Sequence, residues 1–600
     1  MTVGLLPSSF FCRHRNLLTG LLLCLAAWII YLPATQYGYV YYDDVRVLKN
    51  HPELYAQAGL IADLKAIFVT GFPREEPLLV RDVTWVLDAR LFGFDNPLGY
   101  HLGNVLLHGV VVAMLFAFLL GSTRRYAFSL GTTLAFLLLA IHVEAVAWIM
   151  GRKDVLSALF MLLALCAQTQ RLTATQRPAQ VAWYFAALFF FSLGLLSKIS
   201  VLTFPLVLFL HAVLLPYLRG ARSPAAPLER GWVLAREIML LVPGLVISGL
   251  IYVWYQRTLA QMGIFDRGYT AHGLAHLWNL ARINPLVFWV YLKQIFLPAN
   301  LAVLPPWPLL QPAYPLWQVM VALLTLLIAG GTGLWLWCRQ KGLFFYFAAF
   351  FILMVPYLNL IYIGIWVADR YVYFSSFCVL AVAVSLAETS WQRWQRAGRL
   401  GLLLAAAIFA TGNLLQTIFY LPAWRNGETL WQYHLAQPVH SVTAYDNLGA
   451  YYYADFGAAV ARNDQPHMAA SLQKMGVVVA AGLTEFWPDH RQSPPVGTHF
   501  LFFLRSLMEE VNSQPEAALA SLLIADQLHP RFDSTNLNLS RLYHKLAGSA
   551  SSHEQKDSYR RAARDRFATY LELVYRDRQP PLAEQAELAA LEAECAAVSK

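Results

Sequence analysis

Long apolar runs recur along the first two thirds of this chain, and they constrain its fold more than any other feature. About 20 consecutive apolar residues are enough for a helix to cross a bilayer. The runs lie near residues 17–36, 100–120, 126–147, 181–197, 199–217, 236–255, 316–338, 342–363, 369–388 and 400–420, with a shorter run at 154–168 and another apolar stretch at 283–298. Only 14% of the residues are charged, far fewer than a soluble protein of this size exposes. The sequence predicts a polytopic α-helical membrane protein.

Basic residues fall in short clusters between these runs, which is the pattern that orients membrane helices. The clusters are Arg13/Arg15, Arg124/Arg125, Arg171/Arg177, Arg219/Arg222/Arg230, Arg339/Lys341 and Arg393/Arg396/Arg399. If each is cytoplasmic, the alternation holds only when 283–298 does not cross, and its bounding prolines, Lys293 and Gln294 favour a re-entrant or interfacial helix. This predicts eleven crossings, with the N-terminus inside and the C-terminal region outside.

Charge and cysteine content exclude several other classes of protein. The net charge of +9 comes from the clustered basic residues between spans, so it does not indicate nucleic-acid binding. Five of the six cysteines lie within or beside apolar runs without paired spacing, which predicts neither a disulfide framework nor a zinc site. Arg13 and Arg15 precede the first run as in a signal peptide, but the run is long and more spans follow, so we expect an uncleaved first helix.

Residues 421–600 differ from the rest because their apolar runs are short and polar residues return. The stretch "PEAALASLLIADQLHP" (515–530) and the following Leu539, Ser540 and Tyr543 have the spacing of tetratricopeptide repeats. "YDNLGAYY" (445–452) has the first-helix pattern of the same repeat. The alternative is a generic helical bundle with alanine-rich contacts. We expect a soluble, external all-α domain with degenerate repeats.

Asp43 and Asp44 follow the first span directly and open a long external loop, 37–99. Within that loop, "LIADLKAIF" (60–68) is amphipathic and is expected to lie along the membrane interface. Adjacent carboxylates in a loop are usually only solvated. Because adjacent carboxylates repel, a buried pair needs a nearby cation or a raised pKa, and either suits a general base or a metal ligand.

A second group of ionisable residues lies in "IHVEAVAWIMGRKDVLS" (141–157), at the external end of a helical hairpin. It comprises His142, Glu144, Arg152, Lys153 and Asp154. Ionisable residues at membrane depth are costly and indicate function, although the last three could simply pair at the interface. His-x-Glu has metal-ligand character, but two ligands without a third are a weak signal.

Three cations are predicted on the external face, against the inside preference of the other basic residues. They are Arg152, Lys198 in "LLSKIS" and Arg370 in "VADRYVY". Snorkelling of long side chains is the ordinary explanation for each. Their convergence on one face indicates an anionic ligand at the interface, such as a lipid phosphate.

Several of these segments, in this order along the chain, resemble one known family. They are "YDD", "GFDNPLGYHLGNVLLH" (93–108), "HVEAVAWIMGRKDVLSALF", "LGLLSK", "ADRYVYFSS" and "WRNGETLWQYHLAQP" with "AYDNLG". The chain resembles the transmembrane and tetratricopeptide-repeat-containing (TMTC-like) O-mannosyltransferases and their bacterial relatives, which are GT-C glycosyltransferases. It departs from them where Leu139 and Ala140 replace a His-Pro pair and where Ile199 follows Lys198 in place of Glu.

The resemblance implies a GT-C transmembrane domain over 1–420, with about 11 transmembrane helices, and an external TPR-like domain over 421–600. It implies transfer of a sugar from a polyprenyl-phosphate donor to an acceptor hydroxyl, with inversion, on the periplasmic or lumenal side. The acceptor is a protein serine or threonine, or an envelope glycan. The TPR-like domain could hold a protein partner, and a divalent metal is a possible cofactor.

The resemblance maps a catalytic carboxylate onto Asp43 or Asp44, and our hypothesis assigns the following roles. Asp44, with Asp43 beside it, is expected to be the catalytic base. Arg370, Lys198 and Arg152 are expected to bind the donor phosphate. Residues expected to position the substrate are His142, Glu144, Lys153, Asp154 and His101.

The short chain and reduced repeats favour a bacterial inner membrane with a periplasmic active site; in a eukaryote the location would be the endoplasmic reticulum membrane. Modification of an envelope lipid or polysaccharide and an inactive TPR scaffold are alternative functions. A transporter would show paired half-repeats and broken helices at the midplane, which the sequence does not indicate.

Overall fold

The computed structural model describes residues 8–57, 59–68, 76–220, 227–261, 274–303, 316–359, 365–438, 440–489, 493–575 and 579–598. Over these ranges the chain forms helices and no strand. It divides into two compact units, Met1–Leu430 and Trp431–Lys600.

The first unit contains the apolar helices and the helices of the first loop. They are α1 (Ser8–Tyr31), α2 (Pro52–Tyr55), α3 (Leu60–Phe68), α4 (Leu79–Phe92), α5 (Pro97–Thr123), α6 (Tyr126–Leu138), α7 (Val143–Ala147), α8 (Arg152–Thr173), α9 (Arg177–Ser197), α10 (Phe204–Leu218), α11 (Pro227–Gln261), α12 (Leu274–Phe296), α13 (Leu316–Arg339), α14 (Lys341–Met354), α15 (Ser376–Arg393) and α16 (Arg396–Tyr420). Helix α17 (Gly427–Leu435) follows at the boundary between the units.

Seven helical segments in the described part of the chain are long and apolar enough to cross a membrane. They are His14–Gln36, Pro97–Thr123, Arg177–Ser197, Ile199–Leu218, Gly231–Ala260, Val319–Arg339 and Arg396–Arg425. This confirms a multi-pass α-helical membrane protein, because no soluble fold needs so many apolar helices of this length.

The predicted span 126–147 is a broken helix and not a continuous one. Helix α6 ends at Leu138, and Ala140–Ala147 continues at an angle of 59° to it. The backbone is extended at Leu139 (φ −62°, ψ 119°), and the freed N–H of Ala140 donates to Asn413 Oδ1 at 3.1 Å. A polar side chain from α16 therefore satisfies the backbone at the break, as membrane burial requires.

The other predicted crossings form helices that are shorter or more polar. Helix α8 begins with Arg152, Lys153 and Asp154, and α14 has 14 residues. The end of the run 342–363 lies outside the described residues. The stretch 283–298 lies largely within α12, which buries Ile283, Val287 and Tyr291 on one face. The number of eleven crossings and the re-entrant character of 283–298 stay predictions.

Buried ion pairs lie within the first loop, and one of them joins two of its helices. Asp63 of α3 is fully buried and accepts from Arg90 Nε of α4 at 2.7 Å. Arg81 of α4 is also fully buried and pairs with Asp82 at 2.9 Å. Ile61, on the opposite side of α3, is 84% exposed. This is the amphipathic pattern expected of an interfacial helix.

The second unit is an all-α array of helices that pack mainly against their chain neighbours. It contains α18 (Val442–Ala461), α19 (Gln465–Phe486), α20 (His499–Val511), α21 (Pro515–Leu528), α22 (Asp533–Ser549), α23 (His553–Tyr575) and α24 (Leu582–Val598). The closest packing joins α18 to α19, α20 to α21 and α22 to α23. Gly449 of α18 lies against Leu504 of α20, where a Cβ would approach Leu504 Cδ1 to 2.5 Å. Small residues at such contacts are what a tetratricopeptide-like array requires.

Candidate active site

The carboxylate of Asp44 is buried and faces the backbone. Asp44 is completely inaccessible to solvent and accepts hydrogen bonds from the backbone N–H groups of Val40 (2.6 Å), Tyr42 (3.1 Å) and Val45 (3.1 Å). Burial raises the pKa of Asp44 to about 6, and the three N–H donors oppose that rise. Asp44 therefore fixes the turn that follows the first span.

Asp43 occupies a different environment from its neighbour. Its side chain is 26% exposed and forms an ion pair with Arg46 at 3.0 Å, and Arg46 is itself 52% exposed. The turn held by Asp44 includes Tyr41 in the left-handed region (φ 53°). The constrained backbone presents Asp43 at the surface of the loop, where a second molecule can reach its carboxylate.

An aromatic stack connects the acidic turn to the cation Arg370. The ring of Tyr42, next to Asp43, lies 5.2 Å from that of Trp148 at an interplanar angle of 22°. Arg370 lies over the same indole with its Cζ 5.1 Å from the ring centroid. Ring stacking and the attraction of a cation to the face of an indole are both favourable interactions. Tyr42, the residue before the predicted acidic pair, and the predicted cation of a distant segment therefore contact the same side chain.

Two buried ion pairs lie beside this stack. The first joins the guanidinium of Arg370 to Glu144, and the backbone N–H of Arg370 donates to the other oxygen of Glu144 at 2.9 Å. The second joins Lys198 to Asp154. The ring of Tyr371 lies between the two cations, 5.2 Å from Arg370 Cζ and 5.6 Å from Lys198 Nζ. Residues from four separate segments of the sequence thus meet at one place.

A cleft opens at this meeting point, and its empty space, including the open side, is about 350 Å³. Its polar lining includes Asp154, Ser200, Tyr357, Arg370 and Ser375. Asp154 Oδ1 accepts from Lys198, whereas Oδ2 is buried and accepts no hydrogen bond from the described residues. An unused buried acceptor beside a guanidinium and hydroxyl groups suits a polyhydroxylated ligand.

Arg152, the third predicted phosphate-binding cation, lies in another network. It is 1% exposed and donates to Asp88 Oδ2 (2.7 Å), Thr84 Oγ1 (3.1 Å), the carbonyl of Tyr100 (2.6 Å) and Asn104 Oδ1. A Cβ on Gly103 would approach Arg152 Nη2 to 2.4 Å, so the motif glycine makes room for the guanidinium. These contacts join α4 and α5 to the start of α8.

Lys153 also faces the first loop and not the cavity. Its Nζ donates to Glu76 Oε1 at 2.6 Å, and Arg81 donates to Oε2 of the same glutamate at 2.6 Å. Burial would raise the pKa of Glu76, but Lys153 and Arg81 together lower it to about 2. Glu76 is therefore ionised at physiological pH, and its pair with Lys153 connects the loop to α8.

The two predicted histidines lie behind the site. His101 Nε2 is 3.3 Å from the carbonyl of Gly38, at the beginning of the acidic turn. His142 Nε2 is 3.2 Å from Ser376 Oγ, and its ring packs on Tyr373, which lines the cavity, at 4.8 Å. Both are buried, and they support the turn and one wall of the cavity respectively.

The carboxylates near the site have different partners. Asp44 faces backbone N–H groups, Asp43 pairs with Arg46, and Glu144 pairs with Arg370. Among the described residues, no group of three or more histidines, cysteines or acids is placed to hold a metal ion.

Sequence reasoning missed several residues that complete the networks. Trp148, which joins Tyr42 to Arg370, is the tryptophan of the motif segment but carries no charge to attract notice. Thr84 and Asp88 lie four residues apart on α4 and so share a face. The spacing of these two polar residues on one helix face was the sequence signal that could have indicated a partner for Arg152.

Comparison with known proteins gives matches to one kind of protein. Protein O-mannosyl-transferase TMTC4 of Mus musculus is 28% identical over 197 residues, 29% of this chain and 26% of the relative. Protein O-mannosyl-transferase Tmtc3 of Drosophila melanogaster is 26% identical over 198 residues, 28% of this chain and 21% of the relative. Human protein O-mannosyl-transferase TMTC4 is 29% identical over 196 residues, which are 29% of this chain and 26% of the relative.

The resemblance to the TMTC-type O-mannosyltransferases is confirmed. The match spans about a quarter or less of the length of these curated relatives. No family model matches the chain, and no solved structure matches it. The similarity therefore establishes a relationship over part of the sequence.

Proposed function

We propose that this chain is a membrane glycosyltransferase that moves a sugar from a polyprenyl-phosphate donor to a serine or threonine hydroxyl of a protein. The observation that carries the proposal is the aromatic stack that joins Asp43's neighbour Tyr42, through Trp148, to Arg370 at the edge of the cavity. The activity for which the relatives are named, protein O-mannosyl transfer, supports mannose as the sugar and a protein as the acceptor.

Asp43 is the base in this proposal, and not Asp44 as the sequence led us to expect. A base must reach the proton that it removes. Asp43 is partly exposed, whereas both oxygens of Asp44 are buried against backbone N–H groups. Asp44 is then a positioning residue that holds the turn carrying Asp43.

The reaction is a single displacement with inversion. The acceptor oxygen attacks the anomeric carbon as Asp43 removes its proton. The bond from that carbon to the phosphate oxygen breaks, and the polyprenyl phosphate leaves as an anion. Holding donor and acceptor together at the interface supplies much of the rate through orientation.

Arg370 and Lys198 are proposed to stabilise the departing phosphate. Glu144 engages one nitrogen of Arg370, and a guanidinium carries five N–H donors, so some remain for a phosphate. Asp154 Oδ2 is proposed to accept a hydrogen bond from a sugar hydroxyl in the cavity. Arg152 and Lys153 are proposed to hold the first loop in place and not to touch the donor.

The active site is proposed to face the periplasm in a bacterial inner membrane, as the distribution of basic clusters predicts. Strains with and without the gene are compared by intact-mass analysis of envelope proteins, glycolipids and polysaccharides. We expect proteins to lose one hexose each in the deletion strain, and wild type but not Asp43→Asn to restore it. Losses confined to lipid or polysaccharide would contradict a protein acceptor, and unchanged masses in all three would contradict a transferase.

A further inference from the structure

A second cavity lies among α8, α9, α10 and α11, far from the acidic turn. It is an open cleft whose empty space, including the open side, is about 410 Å³. Arg171, at its polar end, follows Arg152 by 19 residues on α8, which places the two roughly 28 Å apart along the helix. Because the sequence predicts that α8 crosses the membrane, we place this cavity on the opposite side from the candidate active site.

The lining of this cavity changes from charged to apolar along its length. One end has Gln168, Arg171 and Glu237. The remainder is formed by apolar side chains of α9, α10 and α11, among them Phe191 and Leu208. A charged end and an apolar slot within one cavity match the two parts of a lipid molecule.

The charged end is built into the protein and carries excess positive charge. Arg171 is 94% buried and Glu237 97% buried, and they pair with each other at 2.5 Å. Arg236, whose side chain is 52% exposed, donates to the second oxygen of Glu237 at 2.8 Å. Two arginines thus share one carboxylate, which leaves a net positive charge at the mouth of the cavity.

The apolar part borders the lipid-facing surface of the bundle. Leu240 and Leu241 of α11 are half-buried and line the cavity, while the neighbouring Met239 and Val242 are 67% and 52% exposed. The hydroxyl of Tyr184 on α9 donates to the carbonyl of Leu240 at 2.9 Å and joins the two helices at the cavity wall. The cavity wall is therefore continuous with the exposed apolar face of α11.

We propose that this cavity binds an anionic glycerophospholipid of the leaflet opposite the active site. One acyl chain lies against Phe191 and Leu208, and the phosphate lies beside Arg171 and Arg236. Under the predicted orientation this is the cytoplasmic leaflet, where basic residues attract anionic lipids. The proposal does not depend on the transferase reaction.

The test measures lipid retained by the full chain in nanodiscs of equimolar phosphatidylglycerol and phosphatidylethanolamine, by native mass spectrometry after release into detergent. Wild type is expected to retain phosphatidylglycerol in preference to phosphatidylethanolamine. Ala187→Phe, which fills the slot on α9, should remove the retained lipid. Val181→Phe adds the same ring at a 54%-exposed position of the same helix and should leave retention unchanged.

Charge variants test the headgroup assignment separately. Arg236→Gln should lower the preference for phosphatidylglycerol about fivefold. Arg396→Gln removes an exposed arginine on α16, which does not line the cavity, and should leave the preference unchanged. Equal retention of both lipids by wild type, or full retention by Ala187→Phe, would overturn the proposal. An unchanged preference in Arg236→Gln would overturn the anionic headgroup.

Discussion

Asp43 and Asp44 are adjacent in the chain, yet their carboxylates face opposite ways: Asp43 lies at the loop surface in an ion pair with Arg46, and Asp44 is enclosed by three backbone N–H groups. The enclosed acid shapes the turn, and the exposed acid is available to a substrate. One short sequence therefore supplies both an accessible carboxylate, which is the proposed base, and the support that places it.

Arg152 should behave as a structural residue. Replacement by lysine keeps the charge but loses the forked geometry that reaches Asp88, Thr84 and Asn104. We expect Arg152→Lys to destabilise the folded state by about 3 kcal/mol. Arg46→Lys, at a half-exposed ion pair, should cost below about 1 kcal/mol. Thermal unfolding in detergent measures the stability of both variants. If Arg152→Lys were as stable as wild type but had a raised KM for the donor, Arg152 would instead be a donor ligand.

Arg370 should act on the rate of transfer more than on stability. Arg370→Lys keeps a cation near Glu144 but loses the planar group that lies over Trp148 and Tyr371. Since the proposed role is stabilisation of the departing phosphate, we expect kcat to fall about 100-fold with a smaller change in KM for donor. Steady-state kinetics with a polyprenyl-phosphate mannose donor measures the changes in kcat and KM separately. An unchanged kcat would contradict the role.

The raised pKa of Asp44 makes a prediction about stability and pH. A carboxyl whose folded pKa is about 6, above its unfolded value of about 3.9, favours the folded state most below pH 4. That contribution, on the order of 3 kcal/mol, is lost as pH rises from about 4 to about 6. Asp44→Asn cannot titrate, so the stability of wild type relative to Asp44→Asn should fall across this range. A difference that is flat between pH 4 and 6, in thermal unfolding, would contradict the raised pKa.

The sequence was sufficient for the parts of the fold that depend on local composition. Apolar runs identified the long helices because a membrane-spanning helix needs about 20 such residues. The break at Leu139 could not be predicted, since it depends on Asn413 of a distant helix accepting from Ala140. Breaks of this kind are set by tertiary contacts and leave no periodicity to read.

The candidate site was predictable in its residues but not in their pairings. Lys198 and Arg370 were expected to converge, and they lie on either side of Tyr371. Arg152 was expected with them but lies with Asp88, because charge in a sequence does not reveal which counter-ion folding brings near. The sequence also did not determine which of Asp43 and Asp44 is exposed, because the direction of each carboxylate depends on the backbone of the turn.

The most direct test compares Asp43→Asn with Asp44→Asn in purified chain, measuring mannose transfer at saturating donor and acceptor together with thermal unfolding. We expect Asp43→Asn to lower kcat by at least about 100-fold at wild-type stability, because its carboxylate is the base. Asp44→Asn should lower the unfolding temperature, because it weakens the acceptor of three N–H groups, while the fraction that stays folded retains more activity than Asp43→Asn. Wild-type kcat in Asp43→Asn, or loss of transfer in a fully stable Asp44→Asn, would contradict the assignment of Asp43 as the base.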